Sequence, residues 1–240
     1  MSSPTSSVSS KLPALPRGSY FKKDWKIIKK LGSGAFGSVY EAFDLRRQQR
    51  FAMKGARHAC GLIEFGTMDG MNYIAMSLVG KNLEDLRRQC PRKRFGVGTT
   101  TRLAIQCLDA IQELHNIGYL HRDVKPQNYA IGLHAYDRHK VYLLDFGLAR
   151  KFVKDGKLRT KRRKPGFCGT ITYASVNAHK GRELGRHDDL LSLFYMVIEF
   201  IRGHLPWSHV HDKRTCGHMK QDLPVMVFKF VPDDHALRFR

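Results

Sequence analysis

The stretch HRDVKPQN at 121–128 puts the tightest constraint on how this chain can fold. It is flanked by the apolar pieces IGYL and YAIGL, so a run of charged side chains is carried into the interior or its margin. Buried polar groups need partners. A second piece of the same kind follows, VYLLDFGLAR at 141–150, an apolar run that ends in Asp145. Two readings fit. In one, these are polar turn residues, with His121 and Arg122 satisfied by backbone carbonyls. In the other they form a reactive set. Asp123 accepts the proton of an attacking hydroxyl, Lys125 offsets charge on a transferring phosphoryl group, and Asn128 with Asp145 ligates a magnesium ion that bridges phosphates.

Upstream, DWKIIKKLGSGAFGSVYEAFD joins two β-prone runs through Gly32, Gly34 and Gly37. The G-x-G-x-x-G spacing alone is weak, because dinucleotide folds and ordinary turns share it. Here it lies between two strands and opens no helix, which argues against a dinucleotide-binding unit. A glycine loop of this kind can lie over phosphates where a Cβ would collide. Val39 would then pack on the base, Ala52 would leave room for adenine, and Lys54 would reach the phosphates. The strands RFAMK, CGLIEFG and MNYIAMSL complete a small sheet of about five strands.

Helices are expected at 82–89 and, with greater regularity, from Thr99 onward, where Leu103, Ile105, Leu108, Ile111 and Leu114 recur near helical period and Thr99 to Thr101 offer N-caps. A further long helix is expected over 188–201. Its apolar run, LLSLFYMVIEFI, is broken by Glu199 and is shorter than the roughly 18–20 residues of a membrane span. The expected class is α+β, and the expected organisation is a Ser/Pro-rich disordered tail over 1–20, a small β-rich lobe over 21–79 and a larger helical lobe over 80–240.

Five cysteines without a C-x-x-C pair point to free thiols in a reducing compartment, with neither a disulfide framework nor a zinc site. With 42 Lys and Arg against 21 Asp and Glu, the charge of +21 favours acidic or phosphorylated partners. Nine basic residues lie in RKFVKDGKLRTKRRK at 150–164. A solvated loop is the plain reading of that run. A nucleic-acid binder would rest on charge alone, since no RNP motif, zinc finger or basic zipper is present, and no specific nucleic-acid partner is expected.

The ordered set of glycine loop, A-M-K, H-R-D-x-K-x-x-N and D-F-G resembles a protein kinase from about Trp25 to Trp207. LVGKNLEDLRR, GTITYASVNAH and GRHDDLLSLFYMVIEF are similar to the casein kinase 1 family, and YASVNAH at 173–179 to its tau-tubulin kinase branch. The resemblance implies a two-lobed fold and transfer of the ATP γ-phosphate to Ser or Thr of acidic or already phosphorylated proteins. Asp123, Lys125, Asn128 and Lys54 would be catalytic. Gly32, Gly34, Gly37, Val39, Ala52, Lys54, Met76 and Leu78 would hold ATP, with Met76 as gatekeeper and 77–79 as hinge. Asn128 and Asp145 would hold Mg2+, and Asp189 would anchor the catalytic loop through its backbone. Arg162, Arg163 and Lys164 would dock substrate anions. A monomer in the cytoplasm, or also in the nucleus, is expected.

Three departures accompany the resemblance. Thr172 stands where the family leads one to expect an arginine, so the anion dock would fall to Arg162, Arg163 and Lys164. Past about Thr215 the similarity fades, and the large lobe is expected to lack its closing helices. Most important, only Gly55, Ala56, Arg57, His58 and Ala59 separate Lys54 from the next strand. As helix they would rise about 7.5 Å, little more than one turn, and none is acidic. The helix called αC in kinases, whose glutamate pairs with the lysine, is expected to be missing. Glu64 is the nearest carboxylate in sequence. The alternative to an active kinase is therefore a kinase-like module that binds acidic or phosphorylated partners.

Overall fold

The computed structural model describes residues 15–21, 25–34, 37–44, 58–68 and 71–221. The chain divides into two compact units, Met1–Ala52 and Met53–Arg240.

In the first unit, β1 (Tyr20–Phe21), β2 (Trp25–Gly34) and β3 (Gly37–Asp44) form an antiparallel sheet in the order β1-β2-β3. The expected glycine hairpin is there, with Gly32 opposite Val39 and Gly34 opposite Gly37. The disordered tail expected over 1–20 is corrected at its end. Gly18 N–H donates to Ile27 O, Ile27 N–H donates to Ser19 O, both at 2.8 Å, and Tyr20 pairs with Lys26. Backbone pairing with an edge strand orders this segment despite its weak side chains. RFAMK lies outside the described residues.

The second unit begins with the hairpin of β4 (Leu62–Met68) and β5 (Met71–Met76), which sequence grouping had assigned to the small lobe. Strand alternation puts Phe65 opposite Ile74 on one face, 71% and 66% exposed. Next comes α1 (Leu83–Gln89), capped by Asn82, whose side chain accepts from Asp85 N–H at 2.8 Å. A 3-10 turn at Pro91–Lys93 leads to α2 (Val97–Asn116). Its N-cap is Gly96, and Thr101 instead donates its hydroxyl to Val97 O inside the first turn.

The buried stripe of α2 is Thr100, Cys107, Ala110, Ile111 and Leu114. Ile105 and Leu108, expected in that stripe, are 55% and 45% exposed. Both positions satisfy a loose helical spacing, but they lie off the seam at i, i+3, i+4 and i+7.

Short antiparallel pairs then carry the loops: β6 (Tyr119–Leu120) with β9 (Arg150–Lys151), β7 (Tyr129–Ile131) with β8 (Val141–Leu143), and β10 (Val153–Lys154) with β11 (Lys157–Leu158). The helices α3 (Val176–His179), α4 (Arg186–Arg202) and α5 (Lys213–Gln221) complete the described chain. α4 packs on α2, and Leu193, Met196 and Phe200 join Cys107, Ile111 and Leu114 in one core. Each such side chain contributes about 1.5–3 kcal/mol when fully buried. Phe95 meets Phe200 edge-on at 5.1 Å and Tyr195 meets Trp207 at 5.2 Å. α4 stops at Gly203, where φ is +87° and a Cβ would come within 2.5 Å of Arg92 O, so both conformation and space require glycine.

Candidate active site

The loop between β6 and β7 is held from below by one carboxylate. Asp189 of α4, 2% exposed, accepts His121 N–H at 2.9 Å and Arg122 N–H at 2.8 Å, and its Oδ2 also meets His115 Nε2 at 2.8 Å. This lets Arg122 hold a positive φ of 68°. His121 Nε2 bonds Leu144 O at 3.0 Å and Arg122 Nε donates to Leu148 O at 2.7 Å. His121 and Arg122 thus meet backbone carbonyls as the polar-turn reading has it, tying the loop to the D-F-G segment, and the residues after them face one another.

Asp123, 8% exposed, is the centre of that group. Its Oδ2 accepts from Lys125 Nζ at 2.7 Å and its Oδ1 from the Thr170 hydroxyl at 2.7 Å. Lys125 Nζ also donates to Thr170 Oγ1 at 3.1 Å. Asn128 Nδ2 donates to Asp123 O at 2.8 Å, which turns the amide oxygen away as an available ligand. Asn128 O accepts Leu144 N–H at 2.8 Å, so the Asp145 backbone begins beside it. Asp145 is exposed, with φ +59°, and its Oδ1 caps the 3-10 turn Phe146–Leu148 by accepting Gly147 N–H at 3.2 Å. One carboxylate and one amide oxygen suit Mg2+, which keeps waters and takes its other ligands from phosphates. Thr170 was not singled out in sequence, where a threonine far from the loop carries no local signal.

Other expected site residues are placed unevenly. The backbones of Gly32, Gly34, Gly37 and Val39 sit in the β2–β3 hairpin of the first unit. Ala52 and Lys54 lie outside the described residues, as does most of the junction where αC was expected to be missing. Met76 and Leu78 are 51% and 40% exposed at the end of β5 and after it. Ser77 pairs with Gly61 through N–H to O at 2.8 Å and Oγ from N–H at 2.8 Å, and Gly80 N–H donates to Ile131 O at 2.8 Å. Glu64 accepts the Tyr73 hydroxyl at 2.7 Å.

The anion dock changes most. Arg162 is spent on Glu183, donating from Nε at 2.8 Å and Nη2 at 3.1 Å, while its N–H donates at 3.0 Å. Those bonds hold the Glu183 carboxyl below its usual range, and Arg150 adds to it from 3.5 Å. Arg163 and Lys164 are exposed beside this pair.

The protein kinase domain matches residues 56–237, beginning two residues after Lys54. A Dictyostelium discoideum protein named as a serine/threonine-protein kinase is 38% identical over 254 residues, covering 92% of this chain and 51% of its own length. That alignment is longer than the 240 residues here, so the relative carries residues with no counterpart in this chain. Two Caenorhabditis elegans proteins are also similar. One, whose name assigns it to casein kinase I, is 35% identical over 221 residues, with 81% and 65% covered. The other, serine/threonine-protein kinase spe-6, is 36% identical over 215 residues, with 80% and 56% covered. The chain thus spans about half to two thirds of the length of these relatives. The domain match extends over most of the second unit, in a chain that runs from strands to helices as the two-lobed kinase fold does, and the chain belongs to the protein kinase family.

Proposed function

We propose that this chain is a serine/threonine protein kinase of casein kinase 1 type, of the tau-tubulin kinase branch, that transfers the ATP γ-phosphate to acidic or previously phosphorylated proteins. The observation that carries the reading is the Asp123, Lys125, Thr170 and Asn128 cluster, in which a nearly buried carboxylate is aimed and partnered. The acceptor oxygen bonds to the γ-phosphorus, the bond from phosphorus to the ADP oxygen breaks, and the hydroxyl proton passes to Asp123. Lys125 offsets negative charge on the phosphoryl group as it moves. Asn128 and Asp145 would hold Mg2+, which supplies charge neutralisation at the phosphates when bound. Of the expected dock, Arg162 is held by Glu183, and exposed Arg163 and Lys164 are the groups that would receive the substrate anion.

Incubation with γ-labelled ATP and an acidic serine peptide tests this. Label should enter the peptide, and Asp123→Asn should lower the rate by at least about a hundredfold. Transfer undiminished in that variant overturns the assignment. A second reading, a non-catalytic module that binds phosphorylated partners in the cytoplasm or nucleus, is favoured by the five-residue passage from Lys54 to Cys60, which contains no acidic residue. Preference for a phosphopeptide without any label transfer would select it.

A further inference from the structure

Lys220, in the last turn of α5, is 2% exposed, and no carboxylate pairs with it among the described residues. Its Nζ lies 2.6 Å from Ile171 O, 2.7 Å from Ala174 O and 3.1 Å from His179 Nε2. An ammonium has three protons and no acceptor, and three acceptors surround it. The rings of Tyr195 and Trp207 stand 5.2 and 5.3 Å away, with faces that attract a cation. His179 is drawn down to about 4 by burial and by the Lys220 charge, so it is neutral and able to accept.

The two carbonyls belong to the turn that begins at Thr170. Tyr173 and Ala174 N–H donate to Thr170 O at 3.0 and 2.8 Å, and Trp207 Nε1 donates to Thr172 O at 2.8 Å. Thr170 is the residue whose hydroxyl rests on Asp123. We propose that Lys220, as an ammonium, is a positioning residue that fixes the turn 170–174 and so holds Thr170 against Asp123, making α5 the support for the acceptor side of the site. Its consequence for phosphate transfer rests on the proposed kinase activity; its hold on the turn does not.

Burial lowers the Lys220 amine to about 8. Of the titratable groups facing it, His179 of α3 is already neutral, burial pushes Tyr195 of α4 up to about 12, and burial raises the Cys216 thiol of α5, which also bonds Lys220. The turn should therefore loosen as pH rises through about 8.

Amide hydrogen exchange at Tyr173 and Ala174 reads this directly. In Lys220→Met at pH 7 both amides should exchange about ten- to a hundredfold faster, the loss expected of a charge-assisted bond, while core amides of α2 and α4 keep their rates. In the unaltered protein the same two amides should loosen with a midpoint near pH 8, after correction for intrinsic base catalysis. Unchanged protection in both experiments overturns the proposal, and the titration decides if the variant does not fold. In phosphate transfer, the peptide KM should rise above pH 8 in the unaltered protein and be raised and pH-independent in Lys220→Met, with the ATP KM constant. A KM for peptide that is equal in the two proteins removes the positioning role. Absence of any transfer would sink the kinase reading and leave the exchange result to judge the turn.

Discussion

A single carboxylate, Asp189, decides whether the catalytic loop keeps its shape. Its two buried oxygens receive consecutive backbone N–H groups and a histidine nitrogen, so an amide in its place must point a donor at donors. Asp189→Asn should cost about 3 kcal/mol, the scale of breaking a buried charged pair and leaving N–H groups unpaired. Urea unfolding of the two proteins gives the number, and an unchanged midpoint would remove Asp189 from its anchoring role. Asp123, Lys125 and Asn128 could be grouped from sequence because they lie in one contiguous stretch, and the structure brings the three together. Thr170 and Lys220 could not, since their partners lie 47 and 46 residues away. The Arg162 pair was not legible for the same reason: Glu183, its partner, lies 21 residues on.

Among the elements, α1 and α4 are joined by a buried ionic network that no periodicity announces. Arg87 donates to Glu84 at 2.9 Å, Glu199 at 3.2 Å, and the carbonyls of Lys93 and Gly203 at 2.8 Å each. Tyr173 donates its hydroxyl to Glu199 at 2.6 Å, which links the turn beside Asp123 to the same network. Burial raises the Glu199 carboxyl above its usual value despite Tyr173 and Arg87. Its contribution to stability is therefore full below the unfolded value of 4.5 and declines as pH rises through the higher folded value. Arg87→Met removes the compensating charge and should raise that carboxyl further. The variant should lose about 3–5 kcal/mol at neutral pH and distinctly less near pH 5, measured as the drop in thermal midpoint at each pH. Equal losses at both pH values would show that Glu199 carries no buried charge. Helices expected over 82–89, from Thr99 onward and over 188–201 stand at Leu83–Gln89, Val97–Asn116 and Arg186–Arg202, but the choice of buried face on α2 was not legible, because that depends on where α4 lies.

For the whole molecule, the decisive length is the passage from Lys54 into the second unit's body. His58 is 7% exposed and already fixed: its N–H donates to the Glu113 carboxylate at 3.2 Å, its Nδ1 bonds Val141 O at 2.7 Å, and its carbonyl accepts Leu143 N–H at 2.7 Å. Ala59 bridges to Leu143 on the strand that leads to Asp145. Only residues 55–57 stand between this anchor and Lys54 in the sequence. A mean helix takes about 11 residues, more than the sequence offers between Lys54 and His58. The alignment with the Dictyostelium relative runs over 254 positions, more than the 240 residues of this chain. A lysine without a glutamate can still meet phosphate, but misplacement of about 1 Å costs on the order of a hundredfold in rate. Inserting a helical segment of about 11 residues with a central glutamate, joined by short glycine linkers between Arg57 and His58, should therefore raise label transfer about a hundredfold at saturating ATP. Asp123→Asn in the same background should abolish the gain. A folded insert protein that transfers no faster than its parent would remove the helical glutamate from the account of the rate.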